Sequence, residues 1–463
     1  MSGIKHAGEV ELQKLVLISS SGTAIDLTEL VININIYESV FSHAMSGSIL
    51  IGDTNNLSVN LPIIGQEYLS LKLNTPTLED KAIDYSENVF VVYKIKQRES
   101  DSLMQVLELQ FTTPEMLKSN RVRVSKSYTD TIDNIVTNIL RDEKYINTLK
   151  KLHIEPTAGI RKLVSPNLHP FNFITNLATE AVALKDNNPF FMFYESTQGI
   201  NFRSIESLFA EDTFGDYAIG DFGQNEGKKQ DIGKDYGRII DFEVSSNSDM
   251  LSNIVSGMLG SSIIEYNIYN KSYEKNTYNY MEDFSKFPRV NYEDSSKDNP
   301  IYSSGYIDSR NNTIGNFTDA RIHLHPVNSS GAFDSQHNDP VNSYSYAPNK
   351  IRDSLLHRQA KFNEFTDGIN VNMVINGSTN ICVGKTINVT IPITGTTHDK
   401  EFDKYYTGKF LITKLKHSFD QITKRHEIAL TASKDSFFES LPDEFGGPAI
   451  PDGTKQETNT INY

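Results

Sequence analysis

The chain has 463 residues, a net charge of −15 at neutral pH, 38% hydrophobic residues and a single cysteine. That length suggests about two to four domains, and one cysteine excludes an intrachain disulfide or a cysteine-rich zinc site. The acidic balance argues against stable wrapping of nucleic acid, which needs basic stripes. The N-terminal "MSGIKHAGEVELQKL" has no apolar stretch of the secretory kind, and no run of about 18 apolar residues occurs. The expectation is synthesis in a cytosol, with no membrane span, as a soluble chain or part of an assembly.

Strand patterns dominate the first 115 residues. "VININIY" places Ile32, Ile34 and Ile36 on one face and Asn33 and Asn35 on the other. "YLSLKL" alternates through Leu69, Leu71 and Leu73, and "VLELQF" through Leu107, Leu109 and Phe111. Strict alternation marks half-buried antiparallel strands. Gly47, Gly52, Pro62 and Gly65 punctuate them. Short strands at this spacing predict a small barrel or sandwich.

The pattern then changes. In "SYTDTIDNIVTNILRD", Ile132, Ile135, Val136, Ile139 and Leu140 stand at helical spacing, with Ser127, Thr129 or Asp130 able to cap. A second helix follows Pro170, suited to a first-turn position, with Phe171, Ile174, Leu177, Ala178, Ala181 and Val182 on one side. "FFMFYESTQGINFRSI" predicts a hairpin turning at Gly199, and Ser204 can cap a short helix carrying Leu208 and Phe209. Residues 126–235 thus read as one α+β domain. Its aromatic residues Phe190, Phe191, Phe193 and Tyr194 are the expected core.

Strand signals return in "RIIDFEVSS" and "DMLSNIVSGMLGSSIIEYNIY". Residues 270–350 are rich in Tyr, Asn, Ser and Asp and weakly periodic. Tyr273, Tyr278, Tyr280, Tyr292, Tyr302 and Tyr306 mark either loop padding or an adaptable contact surface. "NKIRDSLLHRQAKFNEF" predicts a helix ended by Gly368. The strands "VNMVI", "TINVTIPI", "GKFLITKLKH" and "HEIALTAS" follow. The tail "LPDEFGGPAIPDGTKQETNTINY" reads as extended or disordered on its own.

The two strand-rich ends resemble each other. "FVVYKIK" matches "FLITKLK", pairing Phe90 with Phe410, Val92 with Ile412, Lys94 with Lys414 and Ile95 with Leu415. Gly65 in "IIGQEYLSL" stands opposite Gly384 in "CVGKTINVT". The distance from glycine to phenylalanine differs by one residue, which a bulge must absorb. An internal duplication is the expectation. Three copies of such a chain would present six similar modules, able to join a six-fold ring to a three-fold object.

Signals for chemistry are weak. His323 and His325 in "HLHP" stand at strand spacing, but no neighbouring carboxylate or cysteine completes a ligand set. "HNDP" at His337–Pro340 is similar. Cys382, inside a strand pattern, reads as a small apolar residue. "DTNNLSVN" and "DSRNNTIGNFTD" lack the spacing and closing Glu of an EF-hand. Nucleophile-elbow, Walker A and zincin patterns are missing. No catalytic, cofactor-binding or metal residue is assigned, and no cofactor.

Five stretches, "NLHPFNFITNLATEAV", "FFMFYESTQGINFRSIESLF", "YTGKFLITKLKHSF", "HEIALTASKDSFF" and "DMLSNIVSGMLGSSIIEYNIYNKSY", together resemble the central baseplate hub proteins of T-even-like contractile-tailed bacteriophages. The hub portion of type VI secretion spike proteins is a more distant relative. With the order of elements, the resemblance covers most of residues 10–440. It implies a mainly β fold with an α+β insertion. The expected parts are a first tube-like β-barrel (1–125), an α+β domain (126–235) and a second tube-like barrel (236–270 and 364–440). An insertion (271–363) would pack with the α+β domain, and a flexible tail (441–463) would follow. The resemblance further implies a pseudo-six-fold homotrimer in the virion baseplate. Its implied partners are a hexameric tail tube protein, a trimeric central spike and baseplate wedge proteins. DNA would pass through its channel without specific binding, and no reaction is implied. The alternatives are a virion-associated carbohydrate-active enzyme and a receptor-binding tail protein.

Overall fold

A computed structural model describes residues 7–53, 63–76, 82–100, 105–219, 235–246, 249–267, 271–291, 299–303, 312–327, 348–393 and 402–441. The stretches "HNDP", most of "DTNNLSVN", and the tail beyond Leu441 lie outside them, as do Tyr292 and Tyr306.

The first half contributes β1 (Glu11–Ile18), β2 (Ala24–Asp26), β3 (Val31–Ser39), β4 (Ser46–Asp53), β5 (Tyr68–Asn74), β6 (Ile83–Ser100) and β7 (Gln105–Thr112). The alternating leucines of β5 and the Leu107, Leu109, Phe111 series of β7 all point into one core. In β3 the expected inward series is shifted. A bulge between Val31 and Asn33 turns Val31 inward with Ile34 and Ile36, and leaves Ile32 half-buried. A helix that the alternation of this region hides, α1 (Pro114–Arg121), closes the half, with Pro114 in its first turn.

Next come β8 (Ser127–Thr131), α2 (Ile132–Arg141), β9 (Leu152–Ile154), β10 (Ile160–Val164) and α3 (Pro170–Glu180). The helical face predicted for α2 is buried at all five positions. Its start differs from expectation: Ser127–Thr131 is a strand paired with β10, so the helix begins only at Ile132. The β-branched residues and Tyr128 of that stretch satisfy a strand better than a first helical turn. Pro170 does open α3.

The hairpin β11 (Phe191–Ser196) and β12 (Gly199–Ser204) forms as expected, and β9 adds to it in parallel. Gly199 is required by close approach, because a Cβ there would lie 2.4 Å from the Lys151 carbonyl oxygen. All six residues of β11 are buried. Phe191 and Phe193 pack with α2 and α3, whereas Phe190, Met192 and Tyr194 enter a different core, that of the C-terminal strands. The aromatic run is therefore shared by two cores, which explains its lack of alternation. Ser204 caps α4 (Ile205–Phe209) by accepting from Ser207 N at 3.2 Å.

The remaining strands are β13 (Asp216–Ala218), β14 (Ile239–Ser246), β15 (Gly260–Asn267), β16 (Ser272–Asn279), β17 (Ile322–Val327), β18 (Ile369–Asn376), β19 (Thr386–Thr390), β20 (Gly408–Asp420) and β21 (Arg425–Lys434). Between them lie α5 (Met250–Val255), α6 (Tyr280–Asp283) and α7 (Pro348–Asp367). Met250–Val255, read as strand, is a helix capped by Asp249, whose carboxylate accepts from Ser252 N. β15, expected with the C-terminal strands, instead forms a separate three-stranded sheet with β16 and β17. Tyr278 and Tyr280, expected in padding or a contact surface, are buried in the core beneath that sheet with Phe284 and Leu356.

Thirteen strands form one continuous sheet, in the order β14-β18-β21-β20-β3-β4-β7-β6-β5-β1-β2, with β19 and β13 continuing from the first half of β20. Within it one arrangement occurs twice. β3-β4-β7-β6-β5 and β14-β18-β21-β20-β19 have the same order and are antiparallel throughout. Phe90 faces Leu69 and Phe410 faces Ile387. The register shift between Val92 and Lys94 recurs between Ile412 and Lys414. Gly65 and Gly384 both have positive φ, +84° and +82°. A bulge repeated at the matched position is much stronger evidence for duplication than alternation alone.

Candidate functional site

The two strand sets meet where β20 pairs with β3, from Lys414 opposite Ser39 to Asp420 opposite Asn33. β20 is long enough to pair with β19 through its first residues and with β3 through its last. At this joint the sheet has two contrasting faces. The row Ile375–Ile428–His417–Ile36–Gly47–Phe111–Val92 runs across seven strands on the buried face. The row Asn376–Glu427–Ser418–Asn35–Ser48–Gln110–Lys94 crosses the same strands on the other face and is polar at every position. Next to it, Asp241, Val374, Ala429, Lys416, Tyr37, Ser46 and Thr112 form a second row. Both signs of charge occur, and Ala429, Tyr37 and Lys94 are exposed. The outer surface passes from one strand set to the other without an apolar seam.

One exception interrupts the buried row. His417 Nδ1 lies 3.0 Å from His426 Nε2, and His417 Nε2 lies 3.6 Å from Glu38 Oε1. All three are fully or almost fully buried. Glu38 also accepts from Thr197 N at 3.3 Å and Val383 N at 3.2 Å, so it fastens β3 to the β11–β12 turn and to the segment before β19. Burial, reinforced by His417, holds His426 well below the ordinary imidazole range. Phe419 stacks on His426 at 4.2 Å between ring centres. Gly377 must lack a side chain, because a Cβ there would be 2.0 Å from the His426 ring.

Two further buried ion networks attach the inserted segments. Lys150 Nζ donates to Glu195 Oε1 at 2.5 Å and to Glu115 Oε2 at 2.7 Å. Glu195 also accepts from Thr113 Oγ1 at 2.7 Å and from Met45 N at 3.2 Å, and so joins β11 to α1 and to the start of β4. Burial alone would lower the Lys150 ammonium, but Glu195 and Glu115 outweigh it and hold it above its usual value. In the second network Arg289 Nη1 donates to Glu364 Oε2 at 2.6 Å, and Lys361 pairs with Asp435. Asp435 Oδ1 accepts from Val290 N at 2.9 Å. α7 and the stretch after α6 are thereby fixed to the end of β21. Burial pushes the Asp435 carboxyl up, yet Lys361 and Arg289 pull it below the usual range.

His323 and His325 lie in β17, and Glu265 stands opposite His325 in register. Among the described residues no group of three or more His, Cys, Asp or Glu side chains is arranged to hold a metal ion. Cys382 is buried, and burial raises its thiol pKa. No helix among the described residues is long and apolar enough to cross a membrane. The sequence reading missed the ion networks. Their one visible signal was Glu195 inside an aromatic run, where an unpaired carboxylate would be costly.

No family model matches the sequence. No curated protein matches it either. Solved structures do. A tail protein from Neisseria meningitidis is 9% identical, with a TM-score of 0.52, and the likeness covers 92% of this chain and 97% of that one. A 43 kDa tail protein of a Shewanella oneidensis prophage is 8% identical, with a TM-score of 0.52, covering 91% and 98%. A prophage tail protein from Listeria monocytogenes, 10% identical over 91% and 94%, has a TM-score of 0.44, too low to carry an argument. At these identities the likeness is one of fold: this chain is similar in fold to the Neisseria and Shewanella tail proteins.

Proposed function

We propose that this chain is a structural baseplate hub of a phage tail. Three copies form a ring that adapts a six-fold tail tube to a three-fold central spike. The observation that carries the proposal is the duplicated strand set, with its repeated bulge, inside one continuous sheet. A trimer built from two such sets per chain presents six similar surfaces on one side and retains three-fold symmetry elsewhere. The likeness in fold to tail proteins supports a tail role.

In this reading each strand set is part of one tube-like barrel. The polar rows through Asn35 and Lys416 line the channel through which DNA passes. Side chains of mixed charge, Lys94 and Lys416 beside Glu427 and Asp241, give phosphates no purely basic stripe to bind, and the net charge of −15 disfavours retention. The inserted α+β segment and the 271–363 insertion form the outer part that meets neighbouring baseplate wedge proteins. The chain acts by assembly and carries out no reaction.

The test is native mass spectrometry, alone and with the tail tube protein. The expected species is three times the 52.1 kDa chain mass. A monomer that never joins tube or spike on co-expression contradicts the proposal, as does hydrolysis of a cell-wall polymer by the purified chain. The segment after Leu441 is assigned to the spike contact. Spike binding that survives removal of residues after Gly446 refutes that assignment.

A further inference from the structure

A cleft of about 440 Å³ opens between the β3–β4 connection, α3, β11 and α7. It falls within the range of roughly 300–1,000 Å³ typical of ligand pockets. Its walls are aromatic. Phe362 meets Phe41 edge-on at 5.8 Å and Phe190 at 6.3 Å, and Phe193 stacks on His43 at 5.9 Å. Phe362 is 41% exposed, a large apolar surface left uncovered in this chain.

The charges around this apolar surface are one-sided. Arg358 and Lys414 line the cleft, and among the described residues no Asp or Glu does, in a chain of net charge −15. The Arg358 guanidinium rests over the Phe190 ring at 5.5 Å and donates through Nη1 to the Phe191 carbonyl at 2.5 Å. That carbonyl is its only hydrogen-bond partner among the described residues, and no carboxylate pairs with it. Glu206 on α4 acts on it only through space. An aromatic-backed guanidinium with one edge held and the other free is prepared for a planar carboxylate. His43 is committed to Thr175 Oγ1 at 2.9 Å and burial keeps it neutral, so it shapes the cleft rather than charging it. Lys414 stands exposed at the mouth.

We infer that this cleft binds a segment of a partner protein that presents an aromatic side chain beside a carboxylate. The ring enters between Phe41, Phe193 and Phe362, and the carboxylate meets Arg358 with Lys414 at the rim. The charge pattern selects this occupant, because a plain apolar segment would leave the guanidinium unpaired and a basic one would oppose it.

The test titrates full-length protein with acetyl-Asp-Glu-Phe-Gly-amide by calorimetry, at low salt and at 0.5 M salt. Binding is expected, weakened about tenfold or more when Asn-Gln replaces Asp-Glu, and lost when Ala replaces Phe. R358Q is expected to weaken it about tenfold, and K414Q, an exposed change that keeps the fold, several-fold with a smaller salt dependence. Equal affinity for charged and uncharged peptides overturns the inference. So does unchanged binding in both variants, or no binding at millimolar peptide by protein with native melting behaviour. The chain itself contains Asp443-Glu444-Phe445 beyond the described residues. Binding that appears only after residues 442–463 are removed gives the cleft to this chain's own segment and overturns the partner assignment.

Discussion

The two strand sets share strand order, antiparallel pairing and the bulge at the matched position, yet they complete their cores differently. The first set completes its core almost wholly from residues 10–111, β1 included; among the described residues Phe419 is the one buried member from elsewhere. The second recruits Val40, Phe190, Met192, Tyr194, Ile205, Leu208 and Phe365 from β11, the helices and the β3–β4 connection. The matched glycines show where they diverge. At Gly384 an added Cβ would lie 2.2 Å from the Tyr194 hydroxyl oxygen, while at Gly65 the nearest atom is 3.8 Å away. One copy of the motif stayed a strand set closed mainly by its own side chains. The other became the platform on which the inserted segments dock. The strand arrangement thus recurs, and the aromatic strand β11 accounts for the asymmetry between its two occurrences.

The largest expected effect comes from cutting the polar tie that joins β11 back to the first set. Lys150→Ala leaves Glu115 and Glu195 buried and uncompensated, a loss of about 3–5 kcal/mol in denaturant unfolding. A loss under about 1 kcal/mol would mean that the network contributes little to the attachment. Next is a direct comparison of the two sets. Both Gly65→Ala and Gly384→Ala carry the strain of positive φ, but only Gly384→Ala also collides with Tyr194. It should cost about 1–3 kcal/mol more. Equal melting temperatures for the two variants would break the proposed asymmetry.

The joint between the sets predicts a pH dependence. His426 is held far below its ordinary value when folded, so the unfolded chain binds the proton first as pH falls. Its contribution is therefore complete above about pH 6.5 and is lost below it, at up to about 1.4 kcal/mol per pH unit. Glu206 acts in the opposite sense. Burial raises it to about 7, so its contribution is present below its unfolded value and is lost as pH rises through about 7. Because the two contributions oppose each other between about pH 7.5 and 5.5, the melting series is read as a difference: below about pH 6.5 wild type should lose stability relative to His426→Gln as pH falls, by up to about 1.4 kcal/mol per pH unit. The same slope in wild type and variant would rule out the joint as its origin. The smallest effect belongs to the exposed Lys72–Asp84 pair within the first set. Lys72→Ala should change stability by no more than about 0.5 kcal/mol, and a larger loss would show that the first set depends on its surface as well as its core.

Much of this was legible in the sequence because it rests on local periodicity. The face of α2, Pro170 at the start of α3, the Ser204 cap and the match of Phe90 with Phe410 all follow from spacing. The illegible parts depend on distant partners. Nothing near Ser127 shows that it pairs with β10, and β15 reads like any strand of the large sheet until β17 arrives beside it. The burial of Tyr278 and Tyr280 depends on α7, many residues later. Lys150, Arg289 and Lys361 look like surface charges until their carboxylates are seen around them. The cleft at Arg358 is assembled from six separate stretches, each ordinary alone.

The most direct test of the hub assignment is end-on electron microscopy of the particle formed by the purified chain, alone and co-expressed with its spike. Six similar lobes around a central channel, with three-fold features outside them, are expected. Compact particles without a channel in both preparations would contradict it.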